Sequence, residues 1–172
     1  QVGRSDIADD KKKEIAENNK KLGLVSLKGD GIELVLKDGD DKKKLGVEAL
    51  PIIVHDTDII EIVNILRNAG AEAISVNDQR IIATTPISCI GTVIKINDEK
   101  IGGPYVIRAI GNSGYLKTAL DIPGGILKIL ESSGIGVAGS VEHQVSVFSS
   151  SMFPLPSLQI SVPHLLSAVL YF

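Results

Sequence analysis

One run near the middle of the chain, residues 50–79, constrains the fold more than any other feature. It reads LPIIVHDTDIIEIVNILRNAGAEAISVNDQ. Asp56 or Thr57 is suited to cap a helix, the apolar residues that follow recur every three or four positions, and Gly70 is a typical helix stop. Residues 73–76 then read as a short strand ahead of a turn. The run therefore predicts a capped amphipathic helix followed directly by a strand.

The remaining elements extend this unit into a complete fold. Alternation over residues 32–36 predicts a strand before the helix, and residues 79–101 read as short strands joined by turns. Later come a strand over Tyr105–Ile110, a helix interrupted at Pro123 and a last strand over residues 135–147. Without the 79–101 hairpins the order is strand, helix, strand, strand, helix, strand. This order predicts an α+β, ferredoxin-like split βαβ sandwich with an inserted β-hairpin region.

The length and local composition divide the chain into three parts. A chain of 172 residues holds one ordinary hydrophobic core. Residues 1–23 are predicted to be a helical stalk or a linker. The faint heptad-like spacing of the apolar residues Ile7, Ile15 and Leu22 favours the stalk, while the excess of charged residues favours the linker. Residues 24–147 are predicted to be the α+β globular domain. Residues 148–172 form an apolar, proline-interrupted tail, for which we expect either packing as an edge strand or a non-native C-terminus.

The composition excludes general nucleic-acid binding. The net charge is −3, aromatic residues make up 3% of the chain, and there is no Trp. Proteins that bind nucleic acid normally carry a basic stripe and stacking aromatics. No signal peptide or membrane anchor is visible in the polar N-terminal region, and because the chain starts without Met we expect it to be a fragment.

A glycine pattern, GIGVAG at residues 134–139, matches the letters of a dinucleotide-binding fingerprint. That chemistry needs the glycines between a strand and the start of a helix, where backbone N–H groups meet phosphate. Here a predicted helix precedes the glycines and a predicted strand follows them. We therefore expect no nucleotide cofactor at this site, and no other cofactor is predicted.

The residues that could bind metal or act as nucleophiles form no complete set. His55, Asp56 and Asp58 are the closest to a metal cluster, but helix capping explains them better, so no metal site is predicted. Cys89 lies in an apolar run and is predicted to be a buried, inert thiol. A hydrolase would need Cys89 or a serine within hydrogen-bond reach of His55 or His143, with an orienting acid behind. No catalytic residue is predicted.

Two arginines stand out from the packing pattern. Arg80 lies at the entrance of a strand and Arg108 lies in the middle of one. Together they could form a polar ligand-binding surface. The alternative is structural: Arg80 would bind turn carbonyls, and Arg108 would lie on the solvent face.

Several ordered blocks resemble a known bacterial family. These blocks are HDTDIIEIVNILRNAGAEAISVNDQRI, TTPISCIGTVIKIN, GGPYVIRAIGN and LKTALDIPGGILKIL, and KGDGIELVL at residues 28–36 echoes a further family motif. The chain resembles the YlxW-like domain of unknown function family, DUF881. The main blocks span residues 50–130, and we expect the resemblance to fade after about Gly136.

The resemblance implies a non-enzymatic function in the cell envelope. Family members are generally extracytoplasmic, with an N-terminal membrane anchor and a coiled-coil stalk, and their genes often lie near division or sporulation genes. The implied protein lies at the extracytoplasmic face of the bacterial cell membrane and binds a protein or envelope partner, and a homo-oligomer is compatible with it. The alternative, from fold analogy, is a small-ligand sensor that uses a sheet edge or a dimer interface.

The same blocks suggest the residues of a binding surface. The candidates are Asn77, Gln79, Arg80, Pro104, Tyr105 and Arg108, with Gly111 in the same blocks. Arg80 and Tyr105 each open a strand after a turn, so we expect them near one another on a common exposed face. Their double replacement by Ala is then expected to alter partner binding and to change stability by less than ~1 kcal/mol.

Overall fold

The structure is a computed structural model that describes residues 4–39, 52–149 and 160–161. The helices in these residues are α1 (Arg4–Lys21), α2 (Asp56–Asn68), α3 (Ser113–Leu120) and α4 (Ile126–Ser133). The strands are β1 (Leu27–Lys37), β2 (Ala73–Val76), β3 (Gln79–Ile81), β4 (Ile87–Ile90), β5 (Val93–Ile96), β6 (Glu99–Ile101), β7 (Tyr105–Ile110), β8 (Gly136–Val147) and β9 (Ile160–Ser161).

The main sheet has the strand order β3-β2-β7-β1-β8, and every neighbouring pair in that order is antiparallel. The short strand β9 pairs in parallel with the start of β1. Helices α2, α3 and α4 share one hydrophobic core with the main sheet. The predicted α+β class is confirmed.

Helix α2 shows how the local sequence produces this packing. Its buried residues are Ile59, Ile62, Val63 and Leu66, which the three- and four-residue spacing predicts. The predicted cap was wrong by one residue, because the N-cap is His55. Its backbone N–H donates to Oδ2 of Asp58 at 2.8 Å, so the carboxylate in the first turn reaches back to the cap.

The helix that is predicted to be interrupted at Pro123 is present as two separate helices, α3 and α4. Asn112 caps α3 by accepting a hydrogen bond from the backbone N–H of Tyr115 at 3.1 Å. Pro123 lies between the two helices, and Gly134 ends α4 with a φ of 99°, a conformation that favours glycine. The chain then enters β8, so the order of elements around residues 134–139 is opposite to that of a dinucleotide site.

The inserted region is smaller than predicted. Strand β3 belongs to the main sheet, because Asn77 and Asp78 both adopt positive φ and fold β3 tightly onto β2 as a hairpin. The separate sheet has the order β4-β5-β6 and lies between β3 and β7 in sequence. Its buried residues Ile94, Ile96 and Ile101 join the core of the main sheet.

The predicted three-part division falls only partly within the described residues. Helix α1 occupies most of residues 1–23, and the elements β1 to β8 lie within residues 24–147. Of the predicted tail, residues 148–149 and β9 are described, and the rest lies outside the described residues. No helix in the described part of the chain is long and apolar enough to cross a membrane.

Candidate functional site

The face of the main sheet that points away from α2, α3 and α4 carries a row of polar residues. The strand registers place Arg80 opposite Ser75, Ser75 opposite Arg108, Arg108 opposite Glu33, and Glu33 opposite Ser140. Side chains alternate between the two faces of a strand. Because the neighbours of each of these residues on β1, β2 and β7 face the core, the row itself lies on the opposite face.

Arg108 is the centre of this row. Its Nε donates to Oε2 of Glu33, and its Nη1 donates to Oδ1 of Asp78, both at 2.7 Å. These short charge-assisted hydrogen bonds fix the guanidinium over the sheet. All three side chains are partly exposed, so a ligand could reach them.

An open cavity of about 380 Å³ lies over this cluster, and we call it the Arg108 groove. Its lining residues are Glu33, Asp78, Arg108, Glu142, Gln144, Val145, Ser146 and Phe148. Three carboxylates face one guanidinium, so the groove is acidic. Half-exposed Phe148 adds an apolar patch. This arrangement favours a ligand that carries a positive charge next to an apolar group.

Arg80 lies in the same row but does not belong to the groove. Its Nη1 donates to the carbonyl oxygen of Val25 at 3.2 Å, and its Nη2 donates to that of Lys20 at 3.1 Å. The residue is only 3% exposed, and burial lowers the pKa of its guanidinium, although an arginine still stays protonated. Arg80 thus joins the end of α1 to β3, so the structural alternative describes it better than the ligand-binding one.

Tyr105 lies on the opposite face of the sheet from Arg80. It pairs with Leu36, is 1% exposed and packs in the core. The predicted common exposed face of Arg80 and Tyr105 is therefore wrong. Both residues open a strand after a turn, but β2 separates their strands, and the strand registers place the two side chains on opposite faces.

Asn77, Gln79 and Pro104 connect strands and loops. Oδ1 of Asn77 accepts from the backbone N–H of Val106 at 2.6 Å, and its Nδ2 donates to the carbonyl oxygen of Pro104 at 3.0 Å. Oε1 of Gln79 accepts from Nδ2 of Asn97 at 3.3 Å. Of the six predicted site residues, Arg108 is the one that lines the Arg108 groove.

Cys89 is exposed, which contradicts the predicted burial. Strand β4 is an edge of the small sheet and most of its residues face solvent. The sulfur accepts from the backbone N–H of Asp56 at 3.2 Å, and the backbone N–H of Cys89 donates to Oδ2 of Asp56 at 2.9 Å. Packing against α2 removes solvent from the sulfur and raises the pKa of the thiol, and the charges of Asp56 and Asp58 act in the same direction.

These contacts do not make an activated nucleophile. In the part of the chain that the structure describes, both hydrogen bonds of Cys89 are with Asp56, and neither His55 nor His143 reaches the sulfur. A reactive cysteine needs a lowered pKa, whereas this one is raised. Among the described residues, no group of three or more His, Cys, Asp or Glu side chains could hold a metal ion.

Sequence reasoning missed the acidic residues of the groove. Glu33 interrupts the apolar run at residues 32–36 of β1, as Arg108 interrupts β7, and this shared position could have indicated that they face each other. Asp78 and Glu142 carried no comparable signal. Asp78 lies in a turn and Glu142 lies on a distant strand, so only the folded sheet brings them together.

Comparison with protein families finds one match over most of the chain. A family described as "Bacterial protein of unknown function (DUF881)" matches residues 14–152. The match continues well beyond Gly136, so the expectation that the resemblance fades there was wrong. The predicted resemblance to the YlxW-like family is itself confirmed.

Several relatives have similar sequences. UPF0749 protein YlxW of Bacillus subtilis is 32% identical over 126 residues, which cover 73% of this chain and 54% of YlxW. UPF0749 protein Rv1823 of Mycobacterium tuberculosis is 34% identical over 104 residues, which cover 59% of this chain and 34% of that protein. The chain thus spans about half of YlxW and about a third of the mycobacterial relative.

A solved structure is also similar. An uncharacterized conserved protein from Mycobacterium tuberculosis superimposes with a TM-score of 0.67 and 26% sequence identity. The superposition covers 80% of this chain and 91% of that one. The similarity therefore includes most of the α+β domain rather than a single motif.

Proposed function

Because the chain belongs to the DUF881 family of bacterial proteins of unknown function, we propose that it is a non-enzymatic binding domain of a membrane-anchored envelope protein. The domain lies outside the cytoplasm and binds a protein partner that acts in cell division or sporulation. Family resemblance supports the location and the process. The Arg108 groove carries the proposal of binding, because Arg108, Glu33 and Asp78 are ordered by mutual ion pairs and are still accessible.

Two features of the described residues support the architecture that we propose for this protein. We class the main sheet as ferredoxin-like, because the order β8-β1-β7-β2 is that of a split βαβ unit, to which β3 adds an edge strand. We assign α1 as the end of a stalk. Ile7 and Ile15 of this helix are exposed, as is Leu22 just after it. Hydrogen bonds from Arg80 to Val25 and to Lys20 hold the end of the helix to the sheet.

The groove best fits a basic segment of a protein partner. A lysine or arginine side chain would meet the carboxylates of Asp78 and Glu142, while an apolar neighbour would cover Phe148. Both carboxylates are at the exposed end of the site, so the attraction is moderate and decreases with salt. Arg108 would act by holding Glu33 and Asp78 in place rather than by binding the segment itself.

A peptide titration tests this assignment. The probe is a peptide of alternating lysine and leucine, and a glutamate–leucine peptide of the same length is the comparison. Asp78→Asn is suitable because Asn tolerates the positive φ of 65° at this position. We expect Asp78→Asn and Glu142→Gln each to weaken binding of the basic peptide about two- to five-fold.

Glu99→Gln, on an exposed residue of β6 outside the groove, is the matched control. Equal affinity for the two peptides, or equal effects of all three substitutions, would refute recognition by the groove. The proposed location is tested separately with the full-length protein in intact protoplasts. Added protease should digest this domain, and full protection would contradict an extracytoplasmic position.

A second cavity supports the alternative function, a small-ligand sensor. It has a volume of about 190 Å³ and lies between α3, α4 and β8. Its lining includes the apolar residues Leu120 and Leu127 and the charged residues Lys117 and Glu131. A thermal-shift screen of nucleotides, amino acids and cell-wall fragments tests this function. A ligand at 100 times its Kd should stabilise the protein by about 2.7 kcal/mol, and a lack of stabilisers would exclude these classes.

A further inference from the structure

Strand β8 is a long edge of the main sheet. It contains 12 residues, and β1 pairs with it along one side from Lys37↔Gly136 to Leu27↔Val147. On its other side, no strand within the described ranges pairs with it. Such an edge presents a row of backbone N–H and C=O groups that can pair with a further strand.

Residues 136–142 of this edge lack the features that usually prevent pairing, and the irregularity of β8 follows them. Proteins protect exposed edges with lysines, prolines or bulges. The sequence of β8 is GVAGSVEHQVSV, without Lys, Arg or Pro. Its register with β1 shifts between the pairs Gly31↔Glu142 and Gly29↔Val145, so residues 136–142 form a regular segment. Within this segment Val141 is 47% exposed, although it is a large apolar residue.

We propose that two copies of the chain associate through antiparallel pairing of their β8 strands about Gly139. Residues that lie opposite each other in an antiparallel pair point to the same face of the sheet. A two-fold axis at Gly139 places Val137 of one copy opposite Val141 of the other, and Ala138 opposite Ser140. The two main sheets then become one continuous sheet.

The side chains of β8 favour this register over its neighbours. It pairs all four valines at positions 137 and 141, whereas an axis at Ala138 or Ser140 places a valine opposite Gly139. Glu142, the only carboxylate of the strand, lies opposite Gly136. The two Glu142 residues are therefore about six residue steps apart, roughly 20 Å, and do not repel each other strongly.

The cavity beside β8 provides an additional reason for a partner at this edge. Val137, Gly139 and Val141 line the 190 Å³ cavity beneath α3 and α4. The valines of a second β8 strand, on the same face, would extend this lining and remove apolar surface from water. The pairing joins backbone groups of residues 136–142, while the groove depends on the side chains of Arg108, Asp78 and Glu142. The tests of the pairing change positions 138–141 and leave those three side chains in place, so the dimer and the proposed binding function can fail independently.

Site-specific crosslinking tests the register. Gly139→Cys is made in the full chain with Cys89→Ser, which removes the native thiol. A Cβ at position 139 would meet no atom closer than 3.5 Å, so the substitution should fold. The Cα atoms of the two substituted residues would be about 4.5–5.5 Å apart, which suits a disulfide. Mild oxidation should therefore produce a covalent dimer.

Val141→Cys in the same background is the matched control. Its two thiols would be four residue steps apart, roughly 13 Å, which is too far for a disulfide. Crosslinking at position 141 but not at position 139 would overturn the register. Circular dichroism confirms that both variants fold.

Sedimentation of the unmodified chain tests the dimer itself. Ala138→Lys with Ser140→Lys places like charges opposite each other and should weaken the dimer about ten-fold. Ala138→Glu with Ser140→Lys places opposite charges there and should retain it. A chain that stays monomeric at every soluble concentration would overturn the proposal. A dimer that is weakened equally by the Lys/Lys and the Glu/Lys double substitutions would also overturn it.

Discussion

At the scale of single residues, Arg80 supports the structure instead of a binding surface. Its guanidinium is buried and donates hydrogen bonds to two carbonyl oxygens, those of Lys20 and Val25. Removing a buried charged donor leaves both acceptors without this partner. Arg80 therefore determines how the end of α1 attaches to the domain, and its replacement should cost stability.

We expect Arg80→Ala to reduce the free energy of unfolding by about 2–4 kcal/mol, well above the limit predicted from the sequence. The measurement is urea unfolding followed by circular dichroism. Hydrogen exchange should also accelerate in the last turn of α1. Arg67→Ala is a suitable control, because its side chain is exposed and makes one hydrogen bond to the carbonyl oxygen of Ile82. Equal losses for the two variants would contradict the special role of Arg80.

Tyr105 should behave as a packing residue. Tyr105→Ala removes a fully buried ring and is expected to reduce stability by about 3–5 kcal/mol. Tyr105→Phe should cost less than ~1 kcal/mol, because the hydroxyl lies 3.5 Å from the carbonyl oxygen of Ile101, at the long limit for a hydrogen bond. Thermal unfolding of both variants distinguishes packing from hydrogen bonding. A similar loss for the two variants would show that the hydroxyl matters.

At the scale of secondary-structure elements, Asp56 links α2 to the small sheet. The backbone N–H of Cys89 donates to its carboxylate and lowers the pKa of Asp56 below the ordinary value of 3.8. A carboxylate whose pKa is lowered by folding contributes stability that is complete above the ordinary pKa and is lost as the pH falls through the lowered one. The link between the two elements should therefore weaken only in acid, below pH 3.8.

An NMR titration measures this effect. The amide signal of Cys89 should move with an apparent pKa below the ordinary value, and Asp56→Asn should abolish that movement. Glu99, on an exposed part of β6, provides a comparison carboxylate without this contact. A Cys89 signal that titrates at or above 3.8 would contradict a stabilising hydrogen bond.

The elements also show which parts of the fold could be predicted from the sequence. Helix α2, helix α3 and strand β7 depend on local signals such as caps, apolar spacing and bounding glycines, and their positions agree with the predictions. The sequence places strand β3 in the insertion, whereas in the structure it pairs with β2. This pairing depends on the conformation of the turn at Asn77 and Asp78, which the local composition does not determine. The exposure of Cys89 depends on which side of the small sheet is covered, which is a tertiary property.

The candidate site was less predictable than the fold for the same reason. Arg108 was identified because a charge in mid-strand is unusual, but its partners Glu33 and Asp78 come from other strands and turns. Arg80 carried a similar signal and has a structural role. A polar residue within a strand therefore indicated an interaction, while the kind of interaction depended on what covers that part of the sheet.

At the scale of the whole molecule, the two sheets form one structural unit. Ile94, Ile96 and Ile101 of the small sheet lie in the same hydrophobic cluster as Ile107 of the main sheet. The hydrogen bond between Gln79 and Asn97 joins the two sheets at their polar ends. Parts of a domain that share one hydrophobic core generally unfold in a single cooperative transition. The small sheet should therefore stabilise the main sheet, and neither should unfold alone.

Ile96→Ala tests this cooperativity. Ile96 is fully buried in the shared core, so its truncation should reduce the free energy of unfolding by about 2–5 kcal/mol. The denaturation midpoint should fall equally whether unfolding is followed by NMR signals of the main sheet or of the small sheet, with an unchanged dependence on denaturant. Ile90→Ala, at a residue 42% exposed on β4, is the control and should cost much less. Truncation of a residue in a common core must destabilise both sheets together. If the signals of the small sheet disappear at a lower denaturant concentration than those of the main sheet, the small sheet is therefore a separate unit.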